Sequence, residues 1–213
     1  MIKPVPVTFC LALVATVAVL LPLPVFAGGP PKNEGAPVFT ADGRLMPPQG
    51  YYHWVFLTSD LGMSYSEDGS GSDHPPFSNV FVNPAAYRAF LKTGTWPDKT
   101  VLVKEFRRSS TQGSINRNGY FQTGKALSIL VHVKDTTRYK GGWAFFAFGD
   151  GAAAKPARMI PTTADCYSCH QAHGAVDTTF VQFYPTLLPI AKKHSTLSAD
   201  YLRDEAKHAQ ATP

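Results

Sequence analysis

Cysteine is scarce in this chain, and its scarcity limits the kinds of site that the chain can form. Only three cysteines occur among 213 residues, and Cys10 lies in the apolar N-terminal segment, so Cys166 and Cys169 remain beyond it. Two such thiols cannot build the disulfide framework of a small secreted domain. A tetrahedral zinc site would need a second ligand pair at a matching spacing, which cysteines cannot supply here, although histidines could in principle do so.

Charged residues are also few and nearly balanced in sign. Asp, Glu, Lys and Arg make up 16% of the chain, and the formal net charge is +5 at pH 7. The basic residues are scattered, and the pair Arg107 and Arg108 is typical of a solvated strand end rather than of a nucleic-acid surface. We therefore expect no nucleic-acid partner. The sequence has no internal repeat, and its length suits one ordinary domain.

The longest apolar run lies at the N-terminus and has the features of an export signal. A short positively charged end precedes the apolar stretch Val5–Phe26, and Ala27 completes a small-residue cleavage site. We predict a signal peptide over residues 1–27 that is removed, which places the protein in the periplasm or outside the cell. The alternative is an uncleaved membrane anchor, against which Pro22 and Pro24 argue.

The pentapeptide Cys166-Tyr167-Ser168-Cys169-His170 has the C-x-x-C-H spacing of c-type haem attachment. On a helical turn the two thiols lie on one side, where each can bond one vinyl group of the same porphyrin, and His170 can present its imidazole to the iron. We predict one covalent haem c per chain, with His170 as the axial iron ligand. A thioredoxin-like redox pair is the rival interpretation, but the sequence shows no βαβ unit around the motif.

The segments between the apolar N-terminal run and the C-x-x-C-H motif predict an α+β fold. It is mainly an antiparallel β-sheet packed with a few helices, with the haem-attachment helix near the C-terminus. Alternating apolar side chains predict the strands. The predicted strands span residues 51–59, 100–107, 126–135 and 143–148. Residues 28–50 are rich in Pro and Gly and are expected to form a flexible segment. The cytochrome domain is predicted over residues 51–194, followed by a C-terminal tail over residues 195–213.

Two helices are predicted besides the one that carries the haem motif. Asn83 and Pro84 are typical of the first positions of a helix, which Gly94 then ends. A second apolar segment covers residues 178–193, but its two prolines are poorly compatible with an unbroken helix. We therefore expect a kink or a restart near Tyr184.

Several segments of the chain resemble the cytochrome P-460 family, which includes cytochrome c′-beta. These segments are Trp96–Glu105, Gly142–Phe146, and Cys166–His170 followed by Val181–Pro185. Their combination in this order, over about Tyr51–His194, is more specific than the haem motif alone.

The resemblance implies a periplasmic, β-rich homodimer with a five-coordinate haem, whose open face binds small molecules. In one branch of the family the haem carries an extra covalent link from a lysine, and the protein oxidises hydroxylamine. The other branch lacks this link and binds nitric oxide or carbon monoxide in an apolar pocket. The resemblance alone therefore leaves the activity open, including whether the protein is an enzyme.

Lys104 resembles the cross-linking lysine by its place after the Trp96-Pro97-Asp98 turn. In the predicted strand it shares a face with Leu102. Apolar surroundings favour the neutral amine, which is the form able to make a covalent link. Lys104 is therefore a candidate for a haem cross-link. The alternative is a lysine that reaches water or pairs with a carboxylate.

Hydroxylamine oxidation would also need a proton acceptor, because protons leave the substrate as electrons leave for the iron. Glu105 and Asp177 are the candidates. Glu105 could instead pair with an arginine, and Asp177 could instead cap the following apolar segment.

A sixth protein ligand would close the iron and make the protein an electron carrier. The candidates are Met63, Met159 and the histidines at positions 53, 74, 132, 173, 194 and 208. Following the family's pattern, we expect instead an open iron site that handles small nitrogen compounds, either by binding nitric oxide or by oxidising hydroxylamine, together with an unidentified redox partner. The alternative is an electron-transfer haem protein with no catalytic turnover.

Overall fold

The structure of this 213-residue chain is a computed structural model that describes residues 35–65, 73–149 and 155–211. All of them belong to one unit, residues 32–213. The predicted signal peptide, residues 1–27, lies outside the described residues. Across the described ranges, no helix combines the length and the apolar character needed to cross a bilayer.

In the described part of the chain, five antiparallel strands form one sheet, and their order in space follows their order in the chain. They are β1 (Val55–Leu61), β2 (Phe77–Val82), β3 (Val101–Ser110), β4 (Phe121–Lys134) and β5 (Trp143–Phe148). Each strand pairs with its neighbour in sequence, so the sheet is a meander. This arrangement, together with the helices, confirms the predicted α+β fold class.

Among the residues that the structure describes, four α-helices accompany the sheet. They are α1 (Pro84–Thr93), α2 (Asp165–His173), α3 (Leu188–Lys193) and α4 (Ala199–Ala211), and short 3-10 turns occur at Tyr51–His53 and Val181–Phe183. Helix α1 begins after Asn83 and ends at Gly94, as predicted, and Gly94 has the left-handed φ of 72° that favours glycine at this position. The Asn83 side chain does not cap the helix. Its Oδ1 accepts a hydrogen bond from the Val101 N–H at 2.9 Å, which ties α1 to β3.

Both faces of the sheet are covered, because alternate residues of each strand point to opposite sides. We call the side that carries Leu102 the first face. It packs against α1, α3 and the chain around Val176. The second face carries Val101 and Val103 and packs against the N-terminal part of the described chain, including Tyr51. The strand interior is therefore apolar on both sides, and a charged side chain on either face needs a specific partner.

Part of the segment before β1 pairs with distant residues of the fold. Residues 28–50 were expected to be flexible, but within the described part Leu45 pairs with Phe39 and with Ala157 as isolated β-bridges. Leu45 is only 1% exposed, because it packs onto the second face of the sheet. A contact more than a hundred residues away in sequence provides this burial, and local Pro and Gly content cannot reveal it.

Two strand predictions need correction. The strand predicted over residues 51–59 starts late, because Tyr51–His53 form a 3-10 turn, and β1 runs from Val55 to Leu61. Strand β2 was not predicted at all, because polar Ser78 and Asn79 interrupt its apolar pattern. Both are buried, and their side chains are satisfied by hydrogen bonds to other parts of the sheet.

The C-terminal part confirms the expected break and adds a helix. The 3-10 turn Val181–Phe183 ends at Tyr184, and α3 begins only at Leu188. Most of the stretch expected to be a tail, residues 195–213, forms α4. Tyr201 of α4 is buried in the core of the first face.

Candidate functional site

A cavity of about 600 Å³ opens beside the first face of the sheet. This volume lies within the usual range for sites that bind cofactors and small molecules. Side chains from all five strands, from α2 and from the chain that follows α2 line it, and most of them are apolar. They include Leu102, Phe106, Leu130, Val131, Phe145 and Phe180. The three predicted cofactor-binding residues, Cys166, Cys169 and His170, line the same cavity.

Helix α2 places both cysteines on one side. Cys166 and Cys169 are three positions apart, a spacing that brings side chains to the same face of a helix. Both are half-buried free thiols. Burial raises the pKa of the Cys169 thiol, and the nearby Cys166 adds to the effect, so Cys169 is a thiol at neutral pH.

The imidazole of His170 is held in one tautomer. Its Nδ1 lies 2.7 Å from the carbonyl oxygen of Thr178. A carbonyl only accepts, so Nδ1 carries the proton and Nε2 keeps its lone pair. Burial lowers the pKa of His170, and the hydrogen bond to Thr178 opposes this shift only in part. The ring is therefore neutral at neutral pH, which is the form that binds a metal through Nε2.

A strained turn places the Thr178 carbonyl. Asp177 and Thr178 have φ angles of 49° and 58°, in the left-handed region that non-glycine residues rarely adopt. The Asp177 carboxylate holds the turn, since its Oδ2 accepts hydrogen bonds from the Trp96 N–H at 3.2 Å and from Lys134 Nζ at 3.0 Å. Asp177 does not line the cavity, and no helix begins at it. Its position supports His170 instead.

Aromatic rings surround His170 on several sides. Phe180 stacks on it with ring centroids 4.2 Å apart, and Phe145 contacts it edge-to-face at 4.7 Å. His132 lies edge-to-face at 5.2 Å and stacks on Phe145 at 3.9 Å. These contacts restrict rotation of the His170 ring.

His132 is an unusual member of this group. It is 6% exposed, and its Nε2 has no hydrogen-bond partner among the described residues. Burial, with a smaller contribution from His170, holds the pKa of His132 well below its usual range, so its ring is neutral. A buried polar atom without a partner is uncommon in proteins, and where it occurs it often marks a functional site.

Lys104 also lines the cavity, and it shares its face of β3 with Leu102 and Phe106, as alternation along the strand predicted. Its Nζ lies 5.3 Å from the centroid of the Phe106 ring. The same nitrogen lies 3.7 Å from Oδ2 of Asp60, at the end of β1. Lys104 therefore has a carboxylate partner and an aromatic neighbour within the cavity wall.

Glu105 points away from the cavity, to the second face of the sheet. It is 2% exposed, and its Oε1 accepts a hydrogen bond from the Tyr51 hydroxyl at 3.1 Å. The same oxygen pairs with Arg107 at 2.5 Å. The arginine pairing that was the alternative for Glu105 is therefore present.

Neither predicted candidate for the proton acceptor, Glu105 or Asp177, lines the cavity, whereas Asp60 and Asp165 do. Sequence reasoning missed Asp60. It lies one residue past the predicted end of the first strand, and its cavity position depends on pairing with Ser78 in a strand that was not predicted. No signal in the local sequence identifies it.

Two of the predicted sixth-ligand candidates, Met63 and His132, line the cavity. The others lie elsewhere. Met159 pairs with Phe146 at the edge of β5, and His173 contacts Asp204 of α4 through Nδ1 at 2.8 Å. Within residues 35–65, 73–149 and 155–211, no three His, Cys, Asp or Glu side chains are grouped to hold a metal ion. The zinc alternative thus has no ligand cluster in the described ranges.

Gly174 follows α2 and lies close to the turn at Thr178. A Cβ at Gly174 would lie 2.6 Å from the His170 carbonyl oxygen and 2.8 Å from the Thr178 Cα, both backbone atoms. We expect Gly174→Ala to lower the free energy of unfolding by about 1–3 kcal/mol. If the cavity holds the haem that the Cys166–His170 motif predicts, this substitution should also change its visible spectrum, because the carbonyl that orients His170 must move. Urea unfolding and absorption spectroscopy test both effects.

The matched control is Gly124→Ala in β4, where a Cβ would meet no atom within 4 Å. This variant should change the free energy of unfolding by less than about 1 kcal/mol and leave the spectrum unchanged. Equal effects of the two substitutions would contradict the steric argument at Gly174.

Comparison with known proteins identifies a protein family that the chain matches. The family model described as Cytochrome P460 matches residues 48–181, more than half of the chain. The matched range contains Lys104 and the whole Cys166–His170 motif, and it agrees with the resemblance found in the sequence. No curated protein matches the chain.

Proposed function

Because the chain belongs to the cytochrome P460 family, whose members are c-type haem proteins, we propose that it is an exported mono-haem cytochrome with an open iron face for small nitrogen compounds. In this proposal Cys166 and Cys169 would attach one haem covalently, His170 would be the axial ligand of its iron, and the open side of the iron would bind nitric oxide or hydroxylamine. One observation carries the proposal. Both thiols and an imidazole with a free Nε2 face one largely apolar cavity.

The residues around the cavity fit a haem. Two thiols lie on one helix face, the adjacent imidazole already has its Nδ1 bonded to Thr178, and aromatic side chains provide flat apolar walls. His132, whose Nε2 has no hydrogen-bond partner in the described ranges, also lies in this wall. When bound, a haem supplies an iron centre that can bind a small ligand and exchange electrons.

The protein's own groups would act through orientation and exclusion of water. Thr178 keeps His170 in the tautomer that coordinates through Nε2 and increases the basicity of that nitrogen. Phe180 and Phe145 fix the plane of the ring. Leu130, which pairs with Lys104 in the β3–β4 register, adds an apolar side chain to the cavity. These walls favour small ligands with little charge.

The choice between the two chemistries depends on Lys104. A covalent link from Lys104 to the haem would favour hydroxylamine oxidation, and its absence would favour nitric oxide binding. Protease digestion of the holoprotein followed by mass spectrometry of the haem peptides distinguishes these outcomes. The homodimer and the redox partner implied by the resemblance also stay predictions, and light scattering of the purified holoprotein tests the first.

The electron-transfer alternative is kept because Met63 lines the cavity, and a thioether is a common sixth ligand of c-type haem. If the iron face is open, we expect Met63→Leu to leave the haem spectrum unchanged. The affinity of the ferrous protein for nitric oxide should then change by less than about twofold, well under the 1.4 kcal/mol of a tenfold effect. Absorption spectroscopy and ligand titration measure both.

Met159→Leu is the control, because Met159 lies outside the cavity wall. If Met63→Leu alone changes the spectrum and increases nitric oxide affinity about tenfold or more, Met63 is an iron ligand and the electron-transfer function replaces the open-site proposal.

A further inference from the structure

Polar groups gather on one wall of the largely apolar cavity, where three strands meet. Asp60 of β1 lies opposite Ser78 of β2 in the strand register, and Lys104 of β3 lies opposite Val80 of β2. The Ser78 hydroxyl donates a hydrogen bond to Oδ2 of Asp60. Lys104 Nζ lies 3.7 Å from the same oxygen. Asp60 thus contacts a fixed donor and a cation at the edge of the cavity.

This pair differs from an ordinary surface ion pair. The side chains of Lys104 and Asp60 are only 26% and 23% exposed. The ammonium also lies near two aromatic rings, 5.3 Å from the centroid of Phe106 and 6.0 Å from that of Tyr65. In such partly buried surroundings a charge acts more strongly on its neighbours than it does in water.

The ammonium keeps its donors available. An ammonium has three N–H groups, and a separation of 3.7 Å to Asp60 is an ion pair without a hydrogen bond. Among the described residues, none accepts a hydrogen bond from Lys104 Nζ. A small ligand in the cavity can therefore accept one of these N–H groups as a charge-assisted hydrogen bond.

We infer that Asp60 is a positioning residue, which holds the Lys104 ammonium at the cavity wall so that Lys104 donates a hydrogen bond to the bound ligand. This donor makes the cavity prefer ligands with a good acceptor next to the iron-bound atom, such as N–O compounds, over the weak acceptor carbon monoxide. The inference rests on the proposed function, because it needs a ligand on the open iron face.

Asp60 is required because lysine has a long flexible side chain whose head group otherwise turns to water. Ser78 fixes the Asp60 carboxylate from the neighbouring strand, and the carboxylate then fixes the ammonium. Without Asp60 the positive charge stays on the protein, but its position relative to the cavity is no longer defined.

The experiment uses carbon monoxide as a probe of the electric field at the ligand. The infrared stretching frequency of carbon monoxide on ferrous haem responds to a nearby positive charge, and a purely structural role of Asp60 would not move it. We expect Lys104→Met to shift this frequency, since it removes the charge but keeps the length of the side chain. Asp60→Ala should shift it in the same direction, and Asp60→Glu should restore most of the wild-type value.

Ligand titration gives a second readout. The ratio of nitric oxide to carbon monoxide affinity should fall about tenfold in Lys104→Met and by a smaller factor in Asp60→Ala. Asp98→Asn is the control, because this carboxylate bonds Thr136 and does not line the cavity. It should leave both readouts unchanged. If Asp60→Ala does not accumulate as holoprotein, Asp60→Asn replaces it, since it keeps the side-chain volume.

The outcomes separate this inference from the proposed function. If the wild-type protein binds no carbon monoxide, the open iron site is absent and both are overturned. If carbon monoxide binds but its frequency is the same in wild type, Lys104→Met and Asp60→Ala, only the positioning role is overturned. Recovery of Lys104 in the haem peptide would also overturn it, because a linked nitrogen is not a free ammonium.

Discussion

Replacing both Cys166 and Cys169 with alanine should abolish covalent haem attachment, so that no haem stays on the polypeptide after denaturation. These are the only cysteines outside the predicted signal segment, and both line the cavity beside His170. Each single substitution should leave one bond and hence a haem that still travels with the chain. Intact-mass spectrometry and haem staining of denaturing gels measure the result.

Ser168→Ala is the matched control for these cysteine variants. Ser168 lies between the two cysteines, and its hydroxyl only donates to the Asp165 carbonyl oxygen at 3.1 Å. It should keep a full haem complement. Haem mass retained on the denatured double variant would contradict attachment through this motif if peptide mapping does not recover it on Lys104. Loss of haem in Ser168→Ala would show that the assay reports folding rather than attachment.

Glu105→Ala should lower the free energy of unfolding by about 3 kcal/mol, because it breaks a buried ion pair by removing one partner. Glu105 is 2% exposed, and the substitution leaves the Arg107 guanidinium and the Tyr51 hydroxyl without their acceptor. Glu105→Gln keeps an acceptor for the Tyr51 hydroxyl and should lower the free energy of unfolding by less than Glu105→Ala does. Urea unfolding of the purified holoprotein, monitored by circular dichroism, measures the loss.

The same substitution separates a structural role of Glu105 from a catalytic one. Because Glu105 faces away from the cavity, folded Glu105→Gln should bind nitric oxide like the wild type. Asp200→Ala is the control for the stability measurement. It removes a surface carboxylate paired with Arg203 and should lower the free energy of unfolding by less than about 1 kcal/mol. If Glu105→Ala unfolds with the wild-type free energy but no longer binds nitric oxide, Glu105 acts at the ligand site and its role is not structural.

Structural features that depend on only a few neighbouring residues could be predicted from the sequence. The C-x-x-C-H motif predicts its own geometry, since helix pitch alone brings Cys166 and Cys169 to one side. Helix α1 begins after Asn83 because proline is favoured at the first position of a helix. It ends at Gly94 because glycine readily adopts the left-handed conformation that ends a helix. Alternation along β3 likewise separates Lys104 from Glu105, whatever packs on each side.

The assembly of the site was decided by contacts between distant segments. Which face of β3 meets the cavity depends on what covers each side of the sheet. The position of Asp60 depends on β2, where buried polar residues hide the strand pattern. The carbonyl that orients His170 depends on a turn held by Asp177 through Trp96 and Lys134.

The sequence by itself therefore determined the attachment motif, the fold class and the two faces of β3, because backbone geometry and side-chain periodicity act within a few residues. Only the tertiary structure decided that Asp60 rather than Glu105 or Asp177 shares the cavity with Lys104. The physical reason is that burial, strand register and polar pairing arise between segments far apart in the chain. No local pattern specifies such contacts until the sheet is assembled.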